Sequence, residues 1–265
     1  MAEAAAVLEH VSSTDGTRIG YRRSGAGPPL ILVHGTAGAH WSFNLLVPAL
    51  ADRFTVYAID RRGRGASGDR AAEYSIEREF EDVAAVVDSI AEPASVFGHS
   101  YGATVALGAG LVARNLHKVL LYEPSPGIAA VPREDLARID VLVARGEREE
   151  ALVFALGVFG LKREEVEQMR GLPTWPERVA AASTVTREVR AEEGYSVHPD
   201  RLRDLAPPVL LLLGEESPAW AREGTDRIQA ALPNARVAIL RGQGHAATMT
   251  APQLVAGEIG RFLSE

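Results

Sequence analysis

Six short runs rich in Val, Ile and Leu constrain the fold of this chain more than any other feature. They are Leu30–Val33, Phe54–Ile59, Ala94–Gly98, Val119–Tyr122, Val209–Leu213 and Val237–Leu240, and most carry no apolar–polar alternation. A strand with one wet face alternates, whereas a strand without alternation is covered on both faces, as in a parallel sheet between helices. Helical spacing fills the intervals. It runs from Phe80 to Ile90 behind Ser75-Ile76-Glu77-Arg78, then over Tyr101–Ala113, Pro218–Leu232 and Pro252–Leu263. Strand and helix in alternation predict an α/β fold with a mostly parallel sheet and helices on both faces. Two weaker strands, Ala6–Val11 and Arg18–Arg22, flank Asp15-Gly16 and predict an N-terminal hairpin.

The pattern breaks for about 80 residues between Pro124 and Pro207, and a structureless connection of that length is foreign to a compact domain. Glycines divide the interval into helices: Pro132–Arg145 before Gly146, Glu147–Phe159 before Gly160, and Lys162–Arg170 before Gly171. A longer helix, from about Trp175 to Glu193, opens on the capping-box pattern Thr174-x-x-Glu177 and stops at Gly194. The expected organisation is a core of residues 1–124 and 205–265 with a helical cap, 125–204, inserted in it.

Composition removes several function classes. At 265 residues and 46% hydrophobic, the chain can bury one large core. A formal net charge of −7 lacks the basic surface of a nucleic-acid binder and offers no attraction to an acidic membrane. Cysteine is absent, which excludes disulfides, thiolate catalysis and Cys-based metal sites. The segment Met1–Val7 reads as no signal peptide and no apolar run reaches bilayer-spanning length, so a cytoplasmic location is expected.

The chemistry concentrates on Gly98-His99-Ser100-Tyr101-Gly102, a G-x-S-x-G sequence where the strand Ala94–Gly98 meets an Ala-rich helix. A sharp strand-to-helix turn needs small residues on either side and lifts the serine hydroxyl above the sheet edge. Such a hydroxyl needs a base. Of seven histidines, His245 in Gly242-Gln243-Gly244-His245 follows the last strand and so faces the same sheet edge. His34 ends a buried strand, His99 points away from Ser100 by its motif position, and His10, His117 and His198 have no comparable setting. Two backbone N–H groups must hold an oxyanion. Tyr101, following the nucleophile, supplies one, and Thr36 in His34-Gly35-Thr36-Ala37-Gly38 supplies the other.

The order of these segments, with Asp60-Arg61-Arg62-Gly63-Arg64-Gly65-Ala66-Ser67 between them, resembles the α/β-hydrolase superfamily from about Thr17 to Phe262. The resemblance is particularly to small bacterial hydrolases with a helical cap between strands six and seven. It implies an eight-stranded sheet, a Ser-His-acid triad and no cofactor. Serine at the elbow separates the chain from relatives with aspartate there, the epoxide hydrolases and haloalkane dehalogenases. The acid departs from the common pattern. Where many relatives carry it after strand seven, this chain reads Gly214-Glu215-Glu216-Ser217. Other relatives take it from the end of strand six, which nominates Glu123, with Glu215 and Glu216 as alternatives.

Gly63-Arg64-Gly65-Ala66-Ser67-Gly68 matches a dinucleotide fingerprint, yet its glycines do not run straight into a helix. It reads as a tight surface excursion held by Arg and Asp pairs. No metal site is expected, since His34 and His40 lack a third ligand in sequence. The cap and neighbouring loops should line a substrate pocket with His40, Trp41, Phe154, Val158, Phe159, Met169, Trp175 and Met249 as candidates. Expected is acyl transfer from a medium-sized, largely apolar ester, lactone or thioester. The alternatives are carbon–carbon hydrolysis of a diketone-like acid, with Arg133, Arg138, Arg187 or Arg190 on the acid group, and a receptor that kept the fold without catalysis. The partner is a small molecule, and a homodimer stays open.

Overall fold

A computed structural model describes residues 6–69, 74–128, 131–195, 199–232 and 234–265. Eight strands form one sheet: β1 Val7–Ser12, β2 Arg18–Gly25, β3 Pro29–Val33, β4 Thr55–Ile59, β5 Ala94–His99, β6 Leu116–Tyr122, β7 Val209–Gly214 and β8 Arg236–Leu240. Their order is β1-β2-β4-β3-β5-β6-β7-β8. The pairs β1–β2 and β2–β4 are antiparallel and the remainder parallel. The first two strands form the expected hairpin, with Gly16 at φ 78° and the Asp15 carboxylate accepting the Thr17 N–H. After β3 the chain moves outward to β4, then returns to the other side of β3 as β5. Open α/β sheets bind ligands at such a reversal, beyond the carboxyl ends of the strands.

The helices follow in chain order. On the core lie α1 Val47–Leu50, α2 Ile76–Ser89 and α3 Tyr101–Gly110. Between β6 and β7 come α4 Arg133–Ala144, α5 Arg148–Val158, α6 Arg163–Arg170, α7 Trp175–Ala180, α8 Val185–Gly194 and the short α9 Pro199–Leu202. The core resumes with α10 Ala219–Ala231, α11 Ala247–Thr250 and α12 Pro252–Leu263. None is long and apolar enough to cross a membrane among the described residues.

Strand pleating sorts the core into two layers. Ile31, Val33, Val96, Leu121 and Leu211 pack with Phe80, Val83 and Val87 of α2, Val105 of α3 and Ile228 of α10. Leu30, Leu32, Phe97, Leu120 and Leu212 pack on the opposite face with Leu50 of α1 and Val255, Ile259 and Phe262 of α12. This two-sided burial is the cause of the non-alternating strand sequences. A third cluster joins α4 to α8 and includes Ala37 and Ala246, which belong to loops of the sheet edge.

One local expectation is corrected and another is sharpened. The long helix expected over Trp175–Glu193 is broken by a 3-10 turn at Ala181–Thr184. There the Ser183 and Thr184 hydroxyls donate back to the Ala180 and Ala181 carbonyls, and such local bonds compete with the helical ladder. Thr174 precedes α7 without capping it. The Gly63–Gly68 excursion runs at the surface as expected, with Gly63 and Gly65 exposed, but the arginine side chains around it turn inward, and Arg61, Arg62 and Arg64 are buried. Arg62 grips Asp82 of α2 through two bonds of 2.7 Å, and Arg61 grips Glu79 at 2.6 and 2.7 Å. Arg64 reaches Glu188 and Thr184 of the inserted helices. Helix α2 begins only at Ile76, well after the last of these glycines. Arg70, next to the excursion, lies outside the described residues.

The packing makes one residue decisive. A Cβ at Gly102 would lie 2.2 Å from the Val33 carbonyl oxygen and 2.4 Å from that of His34. Gly102→Ala is expected to cost more than about 3 kcal/mol or to abolish folding. Gly157→Ala, where a methyl meets nothing within 4 Å inside α5, should instead gain up to about 1 kcal/mol. Urea denaturation of both variants beside the parent checks the pair.

Candidate active site

Three non-glycine residues have positive φ among the described residues: Ala37 at 53°, Ser100 at 56° and Glu123 at 54°. Each lies at or just beyond the carboxyl end of a strand, β3, β5 and β6 respectively. A left-handed conformation costs an ordinary residue about 1–3 kcal/mol and persists where surrounding structure imposes it. At Ser100 the cause is visible. Its N–H continues the sheet to the Tyr122 carbonyl at 2.8 Å, while its own carbonyl already accepts the Ala103 N–H at 2.7 Å. One residue therefore ends a strand and starts α3. Gly98 and Gly102 make room for it, because a Cβ at Gly98 would sit 2.2 Å from the Gly102 oxygen.

Glu123 is fully buried and its carboxylate is fully engaged. Oε2 faces His245 Nδ1 at 2.5 Å, and Oε1 accepts the Gly214 N–H at 2.7 Å and the Ser217 hydroxyl at 2.5 Å. The structure thus brings together Glu123 and His245. It does not bring the two alternatives there: Glu215 accepts the Gly242 N–H and exposed Glu216 pairs with Lys162. Ser217, standing where many relatives carry the acid, serves Glu123 as a hydrogen-bond donor.

Further side chains hold the His245 loop, and sequence reasoning assigned them no role. The His99 Nε2–H donates to the His245 carbonyl at 2.9 Å, and the Tyr122 hydroxyl donates to that of Gly244. The His99 ring stacks on Tyr122 and lies 4.7 Å from the His245 ring, while Trp220 meets His245 edge-on at 4.9 Å. Burial, with His245 nearby, holds His99 well below the usual imidazole range, so it stays neutral. The expectation that His99 turns away from the nucleophile described its position in the motif and missed this contact.

The Thr36 loop is braced from behind. The Arg61 guanidinium donates to the Gly35 and His34 carbonyls at 3.1 and 3.3 Å and lies 4.3 Å over the Tyr101 ring. His34 accepts the Arg61 N–H at Nε2 and donates from Nδ1 to the Gly35 carbonyl; burial and the Arg61 charge keep it neutral. Gly35 permits close approach, since its Cβ would lie 3.0 Å from that of Ser100. Neither the Thr36 nor the Tyr101 N–H has a hydrogen-bond partner among the described residues. Orphan donors of this kind favour negative charge, and at Tyr101 the start of α3 adds to the effect.

Ser100, His245 and Thr36 line one cavity of about 290 Å³, close to the lower bound of small-molecule sites. Trp41, Phe159, Met169 and Met249 line it as expected. Phe154, Trp175 and His40 do not, and these expectations are corrected. Phe154 lies about 200° around α5 from cavity-facing Leu156 and stacks under Arg138. Trp175 is buried among the inserted helices with its N–H on Glu149. His40 bonds Asp60 through its backbone N–H and its ring. Val158 joins the packing of the inserted helices. Arg187 and Arg190 pair with Asp69 and Asp140, and Arg133 is exposed. The cavity cation is Arg178, which no motif marked. His198 lies outside the described residues. Among the described residues no cluster of His, Asp and Glu is arranged to hold a metal.

The model of the alpha/beta hydrolase family matches residues 30–258. The crystal structure of an alpha/beta hydrolase from Sphaerobacter thermophilus superposes with a TM-score of 0.82 at 35% identity, covering 96% of this chain and all of that one. An uncharacterized hydrolase of Bacillus subtilis, YugF, is 26% identical over 246 residues, 88% of this chain and 89% of its own. Pimeloyl-[acyl-carrier protein] methyl ester esterase of Nitrosomonas europaea is 26% identical over 255 residues, 87% and 93% of the two chains.

Two buried neutral histidines give the fold a pH signature. Unfolded, His34 and His99 bind protons below about pH 6.5, while folded they resist. Stability should be full above pH 7 and fall as pH drops through 6, by up to about 2.7 kcal/mol per unit for the two. Denaturation midpoints between pH 7.5 and 5.5 measure it, and His99→Gln should roughly halve the slope.

Proposed function

The chain belongs to the alpha/beta hydrolase family, and on that premise we propose that it is a serine hydrolase working through an acyl-enzyme on Ser100. The observation that carries this reading is the contact of buried Glu123 with His245, which lines the same cavity as Ser100. A carboxylate accepts, so Nδ1 carries the proton and Nε2 keeps a free lone pair. That lone pair takes the Ser100 proton as Oγ attacks the substrate carbonyl. Glu123 then stabilises the imidazolium. The unpartnered N–H groups of Thr36 and Tyr101 receive the oxyanion, and His245 returns its proton to the leaving group. Water repeats the sequence and releases the acid.

Residues 1–124 and 205–265 form the catalytic core in this reading, and 125–204 a cap over the cavity. Phe159, Met169, Trp41 and Met249 give that cavity its apolar character, and its volume suits a medium-sized small molecule. An ester, lactone or thioester is the proposed substrate class, in keeping with the ester named for the Nitrosomonas relative. A fluorophosphonate probe should label the protein once, at Ser100, and Ser100→Ala should abolish labelling. Mass spectrometry of the labelled peptide reads the site. No labelling, or labelling at another residue, would remove the proposal.

A further inference from the structure

The cavity beside Ser100 carries a charge that the hydrolytic reaction does not use. Arg178, on α7, lines it together with Trp41, Leu156, Phe159 and Met249. No Asp, Glu or Lys lines the same space among the described residues. The guanidinium lies 4.5 Å over the Trp41 ring, and one of its N–H groups donates to the Ala37 carbonyl at 3.2 Å. Among the described residues it has no carboxylate partner. Three other arginines of the inserted helices are paired, Arg170 with Glu167 and Glu149, Arg187 with Asp69 and Arg190 with Asp140, and Arg133, Arg138, Arg145, Arg148 and Arg163, which have no ion pair among the described residues, are exposed to water.

We propose that Arg178 binds a carboxylate of the substrate, so that the preferred substrate is a monoacid ester or thioester whose free carboxylate lies in the cavity. The inference rests on the hydrolase reading above and specifies its substrate class. The physical reason is solvation. Burial draws the Arg178 guanidinium down to about 10, which leaves it charged at neutral pH, and its side chain is only partly open to water. A partly desolvated cation in an apolar cavity gains most from a desolvated anion that binds it through hydrogen bonds. Geometry favours a carboxylate. Stacking on Trp41 fixes the guanidinium plane, one donor is committed to Ala37, and the planar fork that remains matches two oxygens. The Ala37 bond ties the cation to the loop bearing Thr36, so a ligand held by Arg178 is registered against the proposed oxyanion donors.

Paired substrates test this. Mono-p-nitrophenyl esters of aliphatic dicarboxylic acids of graded chain length are compared with their methyl-capped twins, and the ratio of kcat/KM within each pair is read. The parent should favour the free acid by about ten- to a hundredfold at one preferred length. Arg178→Gln should bring that ratio to one or below, and Arg178→Lys should retain part of it. Being taken within one variant, the ratio is insensitive to a general loss of activity from disturbed packing on Trp41. Fluorophosphonate labelling of Ser100 is run on the same samples. A parent that labels but cleaves the acids no better than their twins, or cleaves neither, overturns the assignment of Arg178. A ratio unchanged in Arg178→Gln overturns it as well. Absence of labelling overturns the hydrolase reading beneath it.

Discussion

The site depends on how closely a strand end, a helix start and a loop can approach one another at the sheet edge. Gly98, Gly102 and Gly35 set that approach, and each lacks a side chain where a Cβ would meet backbone or Ser100 within about 3 Å. Their closeness forces Ser100 into a left-handed conformation and leaves the first N–H groups of α3 directed at the cavity. The resulting strain is held by the sheet on one side and α3 on the other. Arg61 adds a brace behind both Gly35 and the Tyr101 ring, itself fixed by Glu79.

The position of Glu123 follows from the same edge. Glu123 leaves β6 in a left-handed turn, and its carboxylate reaches over to β7, where the Gly214 N–H and Ser217 hydroxyl receive it. A residue as small as serine at position 217 leaves space for a carboxylate arriving from the neighbouring strand. One oxygen takes the Gly214 N–H of β7 and the Ser217 hydroxyl just beyond it, and the other is left for His245. The direction of that single bond fixes the tautomer of the imidazole, the property on which the proposed chemistry turns.

Much of this was legible in the sequence, for physical reasons. Strands buried on both faces read as unbroken Val/Ile/Leu runs, so β3, β5, β6 and β7 were plain. The elbow was legible because steric crowding demands glycine at 98 and 102, and Glu123 because Ser217 lacks a charge. The excursion after β4 was legible as a surface turn, but the inward course of its arginines was not, because arginines are usually solvated. Here Glu79, Asp82 and Glu188, distant in sequence, take them inside. Phe154, Trp175 and His40 were misplaced because residue type gives no direction around a helix or turn. Arg178 was invisible since its distinction, a cavity without a counter-charge, exists only in three dimensions.

The most direct measurement is the turnover of Glu123→Gln on an activated ester, beside Glu215→Gln and Glu216→Gln. An amide in place of the carboxylate keeps the shape but cannot stabilise the imidazolium, and kcat should fall by about a hundred- to ten-thousandfold with the fold intact by circular dichroism. The other two variants should stay near the parent. Near-parental turnover in Glu123→Gln, or a comparable loss in either of the others, would contradict the account.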